Sequence, residues 1–251
     1  MKEKDDVLSK FRNSFSQMDG RFHILEQKVP VEVQMEYFKY SERIKRERTE
    51  ELTDIELDTF ISELNDELTS AEYKCYILTC LAISRQIRSF RALEEYLSHP
   101  SEDVADWASL ALMESRITIE AEFSDEKQVY ISTGLGGKGN KLRFYVMLPS
   151  KGKLPFSDLH KTIIEREFQY YMSKDNSEIE RLTINDVYVE LVVLIPVQAN
   201  IKTTLDNIIN ECNLYGDFLY DRFTITNVKE LSNEEVQDIL EKNYGDTEAG
   251  N

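Results

Sequence analysis

Residues 133–153 read TGLGGKGNKLRFYVMLPSKGK, and here the chain changes its periodicity. Within LRFYVML, the residues Leu142, Phe144, Val146 and Leu148 fall at every second position, the signature of a strand buried on one face. Four glycines, Gly134, Gly136, Gly137 and Gly139, stand just before that strand. Upstream, from Val31 to Arg116, apolar positions recur at helical spacing instead. The chain therefore reads as a helical first part followed by a part that contains a sheet.

Downstream of the strand, Ser157 is placed to cap a helix that buries Ile163, Ile164, Phe168, Tyr171 and Met172. IERLTI and VYVELVVLIPV then flank Asn185-Asp186, a tight hairpin turn. A second helix starts at Asn200, stops at Gly216, and carries Ile201, Leu205, Ile208, Ile209 and Cys212 on its apolar side. FLYDRFTITNV closes the set as a strand. This order, strand, helix, strand, strand, helix, strand, resembles a ferredoxin-like domain. Such domains host enzymes, RNA readers, metal carriers and small-molecule regulators, so the fold alone selects no activity.

In the first part, Thr53 and Glu56 have capping-box spacing, and Ile55, Phe60, Leu64 and Leu68 lie near one helical face. Thr69 and Glu72 repeat that spacing before a stripe of Tyr73, Tyr76, Ile77, Cys80, Leu81 and Ile87. Ser101 is placed to cap a helix that turns Val104, Trp107, Ala108, Ala111 and Leu112 inward. The stretch FRALEEYLSHPSEDVADWASLALMESR, Phe90 to Arg116, resembles a HEAT-type helical hairpin, a resemblance that implies partner binding. An ordinary helical bundle is the alternative. The expected fold class is α+β, with a HEAT-like helical domain over residues 1–122, a ferredoxin-like βαββαβ domain over 123–230 and, over 231–251, an acidic C-terminal helix or tail in which a short amphipathic helix precedes a polar end.

Composition narrows the function. The 251 residues carry 47 acids against 30 Lys and Arg, a formal charge of −17 that repels nucleic acid and anionic membrane over most of the surface. No apolar run is long enough to span a bilayer and the start MKEKDDVLSK lacks a signal-peptide core, so a cytoplasmic protein without membrane contact is expected. Cys75, Cys80 and Cys212 have no CxxC spacing, which argues against a disulfide scaffold or a zinc site.

GLGGKG satisfies GxGxxG, yet it leads into a strand where a dinucleotide or Walker loop must open a helix. The HRD and DFG elements that would accompany a kinase glycine loop are absent. No cofactor is expected. What survives is charge: between Lys127 and Ser157 there is no Asp or Glu, while Lys127, Lys138, Lys141, Arg143, Lys151 and Lys153 are cationic. Gly134, Gly136, Gly137, Lys138, Gly139, Lys141 and Arg143 form the candidate site for an anion or an acidic partner. A flexible hairpin whose lysines pair with the chain's own acids is the competing reading.

Tyr145 and Tyr188 suit the open face of a sheet, but Glu190 and the lack of an RNP-like string argue against classical RNA readout. Arg43 to Arg48, RIKRER, reads as a solvated helix face. His23, His99 and His160 share no metal-ligand spacing, and no catalytic or metal residue is assigned. The sequence reading is a non-enzymatic cytoplasmic interaction, adaptor or regulatory protein, with a protein partner and self-association through the sheet. Its alternatives are an RNA- or ribosome-associated factor contacting a ribonucleoprotein through the basic loop, and an enzyme or sensor for a phosphorylated small molecule.

Overall fold

Thr53 and Ser157 each start a helix with a reciprocal cap, the hydroxyl accepting from the backbone three residues on and that residue's side chain accepting from the cap's own N–H. The structure, a computed structural model, describes residues 21–124 and 128–244. Two compact units divide between Gly136 and Gly137. In chain order the first contains β1 (Arg21–Ile24), α1 (Val31–Glu47), α2 (Asp54–Leu64), α3 (Ala71–Ile83), α4 (Ile87–Ser98), α5 (Ala105–Phe123) and β2 (Gln128–Ile131). The second contains β3 (Gly137–Lys138), β4 (Lys141–Pro149), α6 (Asp158–Lys174), β5 (Glu178–Ile184), β6 (Tyr188–Pro196), α7 (Ile201–Asn213), β7 (Thr224–Thr226) and α8 (Asn233–Tyr244).

The helical unit closes around α5, which packs against α1, α3 and α4. Tyr37 of α1 donates its hydroxyl to Glu114 of α5 at 2.6 Å, and Ser41 donates to the same carboxylate at 2.8 Å. Lys45 reaches it at 2.9 Å, so a buried charge is paired and hydrogen-bonded from one helix face. Trp107 stands edge-on to Tyr37 at 5.1 Å and donates its indole N–H to Thr79 of α3 at 3.0 Å. A HEAT stack lets each repeat touch only its neighbours. Here the first helix packs on the last, so the HEAT-like expectation is corrected to a closed bundle.

The ends of this unit meet in a two-stranded parallel sheet, β1 beside β2, with Phe22 opposite Val129 and His23 opposite Tyr130. An isolated pair of strands is marginal in water. Gln34 of α1 supports this one by donating its amide to Val29 O at 2.7 Å and Thr133 O at 3.2 Å, while its oxygen accepts from Ser132. Some sequence assignments shift: the buried face of α2 is Leu57, Phe60 and Leu64, Ser70 caps α3 in place of Thr69, and the Ser101 hydroxyl accepts from Lys74 at 3.0 Å without capping.

In the second unit β4 and β6 are central, β5 lies beyond β6, and β3 and β7 share the outer edge of β4. Every pairing in this sheet is antiparallel. The register puts Leu142, Phe144, Val146, Leu148, Val189, Leu191, Val193 and Ile195 on one face. The helices α6 and α7 pack side by side and bury Ile163, Ile164, Phe168, Met172, Leu205, Ile208, Ile209 and Cys212. The opposite face carries Arg143, Tyr145, Met147, Glu190, Val192 and Leu194.

This unit departs from the expected six-element domain in three respects. A fifth strand, β3, extends the edge of β4; the closing strand shortens to three residues; and a bulge interrupts β5 between Ile179 and Arg181. The acidic C-terminal segment holds the helix α8, with Val236 and Leu240 buried; residues 245–251 lie outside the described residues. Among the described residues no helix is long and apolar enough to cross a membrane.

Gly136 fixes where the chain leaves the helical unit. Its φ is +67°, and an added Cβ would sit 2.4 Å from Gln27 O and 2.6 Å from Glu26 O. Gly139, at φ +58°, has open space around it. Gly136→Ala is expected to cost about 3 kcal/mol or more, from left-handed strain plus a clash with rigid backbone. Gly139→Ala carries only the strain, about 1 kcal/mol. Denaturant midpoints at unchanged slope check this, and equal losses would contradict it.

Candidate partner-binding site

The glycine-rich segment is packed inward. Gly136 N–H donates to Thr133 O at 3.1 Å and Thr133 Oγ1 donates to Gly136 O at 3.2 Å, closing a turn that buries Gly134, Leu135 and Gly136. Gly137 is also buried, and only Lys138, Gly139 and Asn140 at the β3–β4 tip are exposed. Lys141 donates to Glu178 at 2.6 Å, with Lys138 4.0 Å from the same carboxylate. Arg143 makes a two-point contact with Glu180 at 2.5 and 2.8 Å. The hydrogen bond from Lys141, then its charge, holds the Glu178 carboxyl below the usual carboxylate range. Lys151 pairs with Asp217, and Lys127 lies outside the described residues. Gly134 and Gly136 belong to the first unit, and the cations Lys138, Lys141 and Arg143 of the second are aimed at β5.

The sheet offers no stacking platform at Tyr145. That side chain is fully buried and donates to Glu190 at 2.6 Å, whose other oxygen accepts from Asn185 at 3.2 Å. Burial first, and Glu190 second, push the phenol well above its usual range. Tyr188 is shifted upward by the same two causes.

The second basic cluster is also committed. Lys45 bridges Glu42 at 3.0 Å and Glu114, Arg43 lies 4.6 Å over the Tyr40 ring, and Arg48 binds Glu56 at 2.8 Å. Hydrogen bonds from Arg48, then from Thr53, bring the Glu56 carboxyl down to about 2. His23 shares a 2.6 Å hydrogen bond with Gln128, and His160 stacks on Phe218 at 4.1 Å. Burial pushes the Cys75 thiol up to about 11 and Cys212 up to about 12. Among the described residues no group of three His, Cys, Asp or Glu is placed to hold a metal.

The acidic surplus collects elsewhere. Residues 49–73 contain nine acids and no Lys or Arg. In the turn from α2 to α3, Asp66 Oδ1 accepts from Leu68 N–H at 2.9 Å and turns the leucine outward, leaving it 93% exposed. Tyr73 stacks on Tyr76 with ring centroids 5.9 Å apart and donates to Glu63 at 3.1 Å. Burial, then Glu63, raises the Tyr73 phenol. Glu67 stands one residue before the exposed leucine, and Glu72 lies in the first turn of α3. Helical spacing had put Leu68 on the buried face; the polar run NDELTS was the signal that the helix had already ended.

No protein-family model matches this chain, and no curated protein matches it. A putative transposase from Deinococcus radiodurans R1 is similar over 43% of this chain and 95% of its own, at 15% identity and a TM-score of 0.38. A REP-associated tyrosine transposase bound to a REP hairpin is similar over 48% of this chain and 75% of its own, at 7% identity and a TM-score of 0.33. Both neighbours are described as transposases, and the HEAT-like and ferredoxin-like recognitions are corrected accordingly. The non-enzymatic adaptor, the ribosome-associated factor and the phosphate-ligand sensor are likewise withdrawn as readings. Likeness at these scores transfers no activity or ligand to this chain.

Because the Glu56 carboxyl is depressed in the fold, its contribution is present above the unfolded value of about 4.3 and is lost as pH falls toward 2. Carboxylate NMR titration is expected to show Glu56 inflecting at about 2, and Arg48→Ala is expected to move it upward in part, since Thr53 remains. An unmoved inflection in the variant would remove Arg48 as the leading cause.

Proposed function

We propose that this chain recognises a cationic polypeptide through the α2–α3 edge of its helical unit. The observation that supports this reading is Leu68, 93% exposed in the turn closed by Asp66, in a stretch of chain that also carries the stacked Tyr73 and Tyr76 and the carboxylates of Glu63, Glu67 and Glu72. A Lys or Arg side chain matches such a surface twice, by charge with the carboxylates and by cation–π contact with a tyrosine face. An apolar neighbour in the same segment would cover Leu68. The sign of charge is opposite to that of the glycine-rich segment, whose cations already have carboxylate partners.

For the architecture we propose a closed helical bundle followed by a doubled split β-α-β unit, supported by the strand order β7, β4, β6, β5 and by its antiparallel register. For its setting we propose the cytoplasm, in keeping with three separate thiols.

The test is a fluorescence-anisotropy titration with a labelled Arg- and Leu-containing peptide, and with its Glu-substituted counterpart. Binding of the cationic peptide alone is expected, weakening as salt rises. Glu67→Lys combined with Glu72→Lys is expected to weaken it about tenfold or more, and Leu68→Ser about threefold or more, with thermal stability unchanged. Equal binding of both peptides, or full binding by the charge-reversed protein, would refute the reading.

A further inference from the structure

Among the described residues Lys74 and Lys141 are the buried lysines, and they differ in what they meet. Lys141 has the Glu178 carboxylate. Lys74, in the first turn of α3 and 6% exposed, meets a hydroxyl instead, Ser101 Oγ at 3.0 Å. Tyr96, buried near the end of α4, donates to the same oxygen at 3.2 Å and accepts from Ser101 N–H at 3.3 Å. Three elements converge on one hydroxyl: α3 supplies the amine, α4 the phenol, and the approach to α5 the serine.

Ser101 precedes a single 3-10 turn, Glu102–Val104, that leads into α5, and α3 packs against this turn. Its place in the sequence is that of a cap, yet its hydroxyl makes no capping bond. The oxygen is given to Lys74 and Tyr96, and the N–H groups of Glu102 and Asp103 are left uncapped at the start of the turn. Ser101 is half-buried, and Glu102 and Asp103 beside it are exposed.

We infer that Ser101 is a nucleophile and Lys74 its general base, in a site for acyl transfer from an uncharged or cationic ester. An amine within hydrogen-bond reach of a hydroxyl, with open backbone donors beside it, supplies the parts this reaction needs. Ser101 Oγ bonds to the ester carbonyl carbon while its proton passes to the neutral Lys74 amine, and the N–H groups of Glu102 and Asp103 stabilise the charge on the carbonyl oxygen. The C–O bond to the leaving alcohol then breaks, and the alkoxide takes the proton from Lys74. Water repeats the sequence on the acyl-serine and releases a carboxylic acid. The exposed carboxylates of Glu102 and Asp103 disfavour an anionic substrate, which sets the class. The inference stands independently of the cationic-partner reading, which uses Leu68 and the tyrosine pair.

The test treats the full chain with a neutral alkyl fluorophosphonate and reads the product by intact mass and peptide mapping. The Ser101 Oγ–P bond forms as the P–F bond breaks, fluoride leaves and Lys74 takes the proton. One label is expected, on Ser101, and none in Ser101→Ala. Lys74→Met and Lys74→Arg, the second keeping a charge and donors but unable to take the proton, are each expected to slow labelling about a hundredfold or more with the folded circular-dichroism spectrum retained. An unlabelled wild type, a label elsewhere than Ser101, or equal rates in the Lys74 variants would overturn the inference.

Discussion

A shortage of cations organises this protein. With 47 carboxylates and 30 Lys and Arg, cations are drawn into internal pairs, and the surface left over is anionic. Lys45 serves Glu114 in the bundle, Arg48 serves Glu56 at the start of α2, Lys141 and Arg143 serve β5, and Arg181 anchors the C-terminal segment. Exposed pairs of this kind add little stability each. Glu114 differs, because its burial makes the hydroxyls of Tyr37 and Ser41 and the ammonium of Lys45 necessary to one another. Residues 49–73 supply no Lys or Arg of their own; Arg48 and Arg88 reach in to Glu56, Asp54 and Asp58, and Leu68 is exposed in the same stretch.

The two units meet this constraint differently. The helical unit puts its principal polar network at the contact of α1 with α5, which also fixes it as a closed bundle. The sheet unit spreads its pairs across strands, so that Arg143 and Lys141 of β4 reach over β6 to β5. Those bridges lie on the same face as Tyr145 and Glu190. The glycine-rich segment between the units is shaped by sterics more than by charge, since Gly136 has carbonyl oxygens where a side chain would start.

Much of the local structure was legible in the sequence. The change from helical to alternating periodicity at residue 142, the caps at Thr53, Ser157 and Asn200, and the hairpin at Asn185-Asp186 all follow from short-range rules. The partners of the basic segment were not. In a run of 31 residues without an acid the sequence does not show that β5, some 37 residues away, supplies Glu178 and Glu180 to its cations. Leu68 failed for a related reason, because spacing alone continued α2 one turn past its end. The helix α8 was legible as a short amphipathic segment, whereas the burial of Val236 and Leu240 was not, because the charge around them reads as solvated.

The most direct measurement of the central claim is amide chemical-shift mapping on isotopically labelled protein while an unlabelled Arg- and Leu-containing peptide is added. The account predicts that perturbations concentrate between Glu63 and Tyr76, around the turn that presents Leu68. Perturbations concentrated between Thr133 and Arg143 would contradict it and return the site to the glycine-rich segment; an unperturbed spectrum would remove the cationic partner altogether.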